Sequence, residues 1–219
     1  MTAQAQTAFS NASAAAAAMA EPWDKIGVRI PYAAGEEIYA QEEEADMVYR
    51  VISGAVRTTR LLSDGRRQIG DFYYPGDLFG LESGDHHRFS AEALNDTVIL
   101  VIKRSALAHY GEDGARIERA LWAATAQELR RTQEHLTLLG CKSACEKVAA
   151  FLLDVADRSK KELIDLSMGR QDIADYLGIT IETVCRMLRQ LQDDAIVEFQ
   201  GARRFRLRHR AALARLAPA

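Results

Sequence analysis

Glu182 and Arg186 stand four residues apart in the stretch Gln171 to Leu191, QDIADYLGITIETVCRMLRQL. On a helix that spacing puts both side chains on one face. An arginine there can donate two hydrogen bonds to guanine O6 and N7, and a glutamate can accept from cytosine N4. The pair can also orient itself before any nucleic acid arrives. Thr183 suits a phosphate or a thymine methyl, Arg189 suits a phosphate, and Ile181 suits a thymine methyl or the support of the turn. Cys185 lies on the same outward face, beside Arg186 and within two turns of the helix start. That setting stabilises a thiolate. Oxidation to sulfenate or sulfinate would add bulk and negative charge where phosphates approach, weakening binding. The plainer alternatives are solvated ion pairs for the charged residues and a space-filling role for Cys185.

Two helices must hold these residues. Ile173, Ala174 and Leu177 give the first an apolar face, and Ala174 is small where the second must approach. Gly178 supplies a backbone conformation that stops the first helix. Thr180 caps the second, with Glu182 in its first turn, favourable to the dipole. Val184, Leu188 and Leu191 then face inward. This is a helix-turn-helix pattern. Ala195–Phe199 and Arg204–Leu207 flank Gln200–Arg203 and read as a β-hairpin, which makes the module a winged one. Arg203, Arg204 and Arg206 would set charge against a nucleic-acid backbone and contribute affinity rather than discrimination. Arg208 and Arg210 are expected to face solvent. Residues 142–158 form an amphipathic helix, and Leu163–Leu166 a short strand.

The chain has 219 residues, is 48% hydrophobic and carries a net charge of −3. Residues 1–139 hold 14 basic and 20 acidic side chains; residues 140–219 hold 14 basic and 11 acidic. Six arginines and no acid lie between Arg203 and Arg215. An acidic front and a basic tail suit one nucleic-acid-facing module on a body that avoids the backbone. Three cysteines make no disulfide framework in such a chain. No apolar run approaches the length of a membrane span, and the alanine-rich start lacks a positive n-region. The protein is expected in the cytoplasm, with residues 1–21 as a flexible tail.

From Ile30 to Ile102 short strands alternate with glycine-bearing turns, such as Ser63-Asp64-Gly65-Arg66. This suggests a small antiparallel β-barrel or jelly roll over 22–112; a sandwich fits nearly as well. After Gly114 the period changes. Ile117, Leu121, Thr125, Leu129, Thr132, Leu136 and Leu139 recur at spacings of three and four, marking a helix of about 25 residues. Burying that stripe against an identical helix would join two chains; packing it on the barrel is the alternative. Gly140 is expected to end the helix as a hinge, so that 113–140 is a dimerisation segment and 141–219 the winged helix-turn-helix. The fold class is therefore α+β. His86 and His87 beside Asp85 are adjacent in a loop and badly placed to share an ion, and Cys141 and Cys145 are too few for a closed cluster. No metal, cofactor or catalytic arrangement is expected.

The segments YPGDLFG at 74–80 and DIADYLGITIETVCRMLRQLQ at 172–192 resemble the CRP/FNR superfamily of bacterial transcription regulators, and within it the FixK-type branch. The resemblance runs from about Trp23 to Ala211. It implies a sensor-like β-barrel, a dimerisation helix and a DNA-binding winged helix-turn-helix. It gives Glu182 and Arg186 base-reading roles, Ile181 the hydrophobic position before the glutamate, and a palindrome with TTGA-type half-sites as target. A serine commonly precedes the arginine in the family; Cys185 replaces it here. The arginine–serine pair that holds a cyclic phosphate is incomplete, whether His87-Arg88 or Arg88-Phe89 is put in register. The cysteines of an oxygen-sensing cluster are missing before position 141. By resemblance the protein would activate microaerobic, respiratory or nitrogen-fixation genes by contacting RNA polymerase, downstream of an oxygen-responsive two-component system. Alternatives are control by a small ligand in the barrel, or a cyclic-nucleotide-binding signalling subunit.

Overall fold

The computed structural model describes residues 22–82, 84–159 and 161–217. The tail expected at 1–21 lies outside the described residues. A short helix α1 (Pro22–Ile26) leads into eight strands: β1 (Val28–Tyr32), β2 (Glu37–Tyr39), β3 (Met47–Ser53), β4 (Val56–Leu61), β5 (Arg67–Tyr73), β6 (Leu78–Phe79), β7 (Ser90–Ala93) and β8 (Thr97–Lys103). They form two four-stranded antiparallel sheets, ordered β1-β8-β3-β6 and β2-β7-β4-β5. Both sheets are open. The barrel, or jelly roll, expected from the sequence is thus corrected to two sheets packed face to face. Tyr39, Val56, Tyr73 and Ala91 from one sheet meet Tyr49, Val51, Phe79 and Ile99 from the other in a common core. Alternating burial along a strand is the same for a barrel and for two open sheets, so the pattern alone could not separate them.

A 3-10 turn (Arg104–His109) delivers the chain into α2 (Gly111–Cys141), 31 residues long and about 46 Å at 1.5 Å per residue. The helix passes through Gly140 and stops one residue later. Lys142 is extended (φ −101°, ψ 144°). Ser143 and Glu146 then form a reciprocal cap: the Ser143 N–H donates to Glu146 Oε2 at 2.7 Å, and the Glu146 N–H to Ser143 Oγ at 3.4 Å. This starts α3 (Ala144–Ser159).

Beyond α3 come β9 (Ile164–Asp165), α4 (Arg170–Leu177), α5 (Ile181–Asp193), the hairpin β10 (Val197–Gln200) and β11 (Arg204–Leu207), and α6 (Arg210–Leu216). β11 lies between β10 and β9. Val148, Phe151, Leu152 and Val155 of α3 pack on Ile173, Ala174 and Leu177 of α4 and on Val184, Leu188 and Leu191 of α5. Leu213, fully buried, pins α6 to the same core. Ile69 and Phe72 of β5 also enter this core, so one sheet is packed directly against the helix-turn-helix.

Candidate DNA-reading surface

Local geometry fixes the turn between α4 and α5. Gly178 adopts φ +60°, ψ 39°, and its N–H donates to the Ala174 carbonyl. A side chain there would be strained by the left-handed backbone. It would also meet Leu139 Cδ2 at 3.4 Å. Thr180 begins α5 by accepting the Thr183 N–H on its hydroxyl at 3.3 Å. Val184, Leu188 and Leu191 are buried, which turns the opposite face of α5 outward.

On that outer face Glu182, Cys185, Arg186 and Arg189 are exposed, while Ile181 and Thr183 are partly buried beside them. The expected mutual orientation of Glu182 and Arg186 is replaced by two local contacts. Arg186 Nη2 donates to Thr183 Oγ1 at 3.4 Å. Glu182 is held by its own N–H and by Thr180, which keep its carboxyl below the usual range. Both groups remain open to a ligand.

The hairpin places Arg203 and Arg204 at an exposed tip. Arg206 is less free, because its Nε lies 3.3 Å from Glu162. Arg208 and Arg210, expected to face solvent, are exposed yet ion-paired, with Glu198 and Asp157. Arg170, at the start of α4, was missed from sequence. Its guanidinium lies 4.8 Å from the Phe199 ring centroid, with one nitrogen buried and unpartnered. Burial weakens its hold on a proton, and nearby Cys185 opposes that. Cys141 is exposed and Cys145 half-buried; burial pushes the Cys145 thiol up.

The stripe of α2 divides. Ile117 is 1% exposed and packs with Val48, Leu100, Ile102 and Leu107 of its own chain, and Leu121 lies against the same cluster. Ile117 is thus covered by its own chain, and Leu121 partly so. Leu129 and Leu136 are 60% and 65% exposed, and Trp122, which the sequence reading passed over, is 78% exposed. Trp122, Leu129 and Leu136 recur every seven residues, with Thr125, Thr132 and Leu139 each three further on. That is the a/d spacing of a coiled-coil stripe. The Thr125 and Thr132 hydroxyls donate to carbonyls four residues back, at 2.9 Å each, so neither needs another partner there.

A cavity of about 510 Å³ lies between the sheets, α2 and α4. Its polar lining includes Asp71, Glu82, Arg88, Glu128, Arg131 and His135. Arg131 is engaged with Asp71 and Asp77 at 3.5 and 3.3 Å. Burial pushes the carboxyls of Asp71 and Glu128 up, and the Tyr73 hydroxyl donates to Glu128 at 2.8 Å. His87 is buried and stacked on Tyr39 at 3.6 Å. Around Arg88 this lining brings three carboxyl groups, those of Asp71, Glu82 and Glu128.

An exposed recognition helix, a basic wing tip and a turn locked by Gly178 define a winged helix-turn-helix of the DNA-binding class. Residues 146–216 match the Crp-like helix-turn-helix domain, and residues 29–112 match the cyclic nucleotide-binding domain. The nitrogen fixation regulation protein FixK of Azorhizobium caulinodans is 45% identical over 87% of this chain and 79% of its own length. That of Rhizobium meliloti is 42% identical over 78% of this chain and 79% of its own. The solved structure of FixK2 from Bradyrhizobium japonicum superposes with a TM-score of 0.83 at 49% identity, covering 89% of this chain and 98% of that one. The chain belongs to the FixK-type branch of the CRP/FNR superfamily of transcription regulators. Among the described residues no helix is long and apolar enough to cross a membrane.

Proposed function

We propose that two copies pair through α2 and read a DNA palindrome of TTGA-type half-sites, acting in the cytoplasm as an activator that contacts RNA polymerase. The observation that carries this reading is the open face of α5, where Glu182 and Arg186 are exposed one turn apart. Ile181, Glu182 and Arg186 face base edges; Thr183, Arg189, Arg203, Arg204 and Arg206 face phosphates. Trp122, Leu129 and Leu136, with Thr125, Thr132 and Leu139, form the seam between chains. By likeness to the nitrogen fixation regulation proteins FixK, the controlled genes include nitrogen-fixation genes; the family resemblance adds microaerobic and respiratory genes. The carboxyl groups around Arg88 suit a cyclic phosphate poorly, which supports action without that effector.

Cys185 makes the reading redox-sensitive. Peroxide converts an exposed thiolate to sulfenate or sulfinate, which places negative charge beside Arg186 on the face that meets phosphates. The test is salt-titrated binding to a TTGA palindrome, before and after peroxide, in the parent and in Cys185→Ala. Tight binding without added ligand, lost on oxidation only in the parent, is the expected result. Equal loss in both proteins would refute the cysteine switch; no preference for the palindrome would refute the base-reading assignment.

A further inference from the structure

Four charged side chains tie one of the sheets to the helix-turn-helix, and nothing in the DNA-reading assignment uses them. Arg57 of β4 donates from Nη1 to Asp172 Oδ1 of α4 at 2.6 Å, and from Nη2 to both Glu92 oxygens at 2.8 Å. Arg67 of β5 donates from Nη2 to the same Asp172 oxygen and to Asp175 Oδ2, both at 2.7 Å, while its Nε reaches Asp175 Oδ2 at 2.9 Å. The other Asp172 oxygen accepts the Gly169 N–H at 3.0 Å. One carboxylate thus caps the first helix of the motif and receives an arginine from each of two adjacent strands. The Arg57 and Asp172 side chains are only 14% and 10% exposed.

We infer that Arg57, Arg67, Asp172 and Asp175 form a positioning clamp that sets the angle of the recognition helix for palindrome reading without a bound effector. Two physical points carry this. The apolar contact beside the clamp, with the Phe72 and Tyr176 rings 5.3 Å apart, is non-directional and tolerates rotation. The two-nitrogen grip of Arg67 on Asp175, with a charge-assisted bond from each arginine to Asp172, is directional and does not. The clamp also grips α4 and leaves the outer face of α5 bare, with Glu182 and Arg186 exposed. The inference rests on the dimeric DNA-reading assignment.

A palindrome requires both recognition helices at a set spacing; a single half-site requires one. Binding of the full chain to both duplexes is measured for the parent, Arg57→Gln, Arg67→Gln, Asp172→Asn and the Arg57→Gln/Asp172→Asn pair. Each single variant should weaken palindrome binding by at least about tenfold, the loss of one charge-assisted hydrogen bond. Half-site affinity should stay within about twofold, and the double variant should lose less than the product of its singles because the two residues share a contact. Arg67→Gln serves if Asp172→Asn fails to fold, since the Arg67 side chain is 31% exposed. Unchanged palindrome affinity, or equal losses on both duplexes, would overturn the clamp. A parent that does not prefer the palindrome would instead overturn the DNA-reading assignment.

Discussion

Replacing Arg186 with methionine isolates base reading from everything else this chain does. The side chain is exposed, and its polar contact is Nη2 to Thr183 Oγ1 at 3.4 Å. Folding stability should therefore move by less than about 0.5 kcal/mol. Binding should respond strongly. A bidentate arginine–guanine pair discriminates by about 1–3 kcal/mol. A palindrome presents it twice, so the dimer should lose about 2–6 kcal/mol, roughly thirty- to twenty-thousandfold. Fluorescence anisotropy across a potassium chloride series, on the palindrome and on a duplex with that guanine replaced in each half-site, gives both the loss and its specificity. The variant should bind the two duplexes equally, with the parent's salt slope. Arg203→Ala is the contrast: its loss should be uniform across sequences, and the slope should fall by about 0.9 per contact, or about 1.8 per dimer. If Arg186→Met lost affinity equally on both duplexes and also reduced the slope, Arg186 would be a phosphate contact and the base-reading argument would fail.

Three further outcomes follow from the same structure. Leu129→Asp with Leu136→Asp should yield a folded monomer by sedimentation and abolish palindrome binding, because both side chains are more than half exposed within one chain; an intact dimer would remove α2 as the seam. Gly114→Ala should cost about 3 kcal/mol, since its Cβ would lie 2.0 Å from the Leu107 carbonyl oxygen, whereas Gly140→Ala, with nothing within 4 Å, should gain up to about 1 kcal/mol by its helix propensity; thermal melts read both. Glu128→Gln should raise the melting temperature at pH 7. Burial raises the Glu128 carboxyl above its unfolded value, so its stabilising effect is complete below the unfolded pKa and is lost as pH rises through the folded one. The amide should therefore help at neutral pH and give nothing in acid; a gain independent of pH would refute the charge argument.

The helix-turn-helix was legible because its signals are local: Gly178 needs no distant partner to declare a turn, and Thr180 caps a helix three residues away. The wing was legible for the same reason. The stripe on α2 was legible as a stripe, but periodicity cannot say what covers it. Ile117 is covered by Leu107 and Ile102 of its own chain, while Trp122, seven residues before Leu129, carried a signal that was passed over. Sheet closure was not legible because each strand alternates in the same way whichever edges pair. The contacts of Arg57 and Arg67 with Asp172 span more than one hundred residues; each residue alone reads as a solvated charge. His87 looked like part of a polar loop, yet only the assembled sheets show it stacked on Tyr39.

The divided burial of α2 bears on the order in which this protein is made. An isolated helix is costly to nucleate. Here Ile117 lies ten residues from Leu107, and the two pack together with strand residues of the same chain. The first turns are thus templated by neighbours already translated, and the stretch from Trp122 to Leu136, exposed along one face, extends from a formed nucleus. On the proposed pairing, a second chain would meet a rod whose ordering entropy has already been spent. Folding and assembly become separate steps: the first depends on one chain, the second on concentration. Two folded subunits can then exchange partners without either of them unfolding.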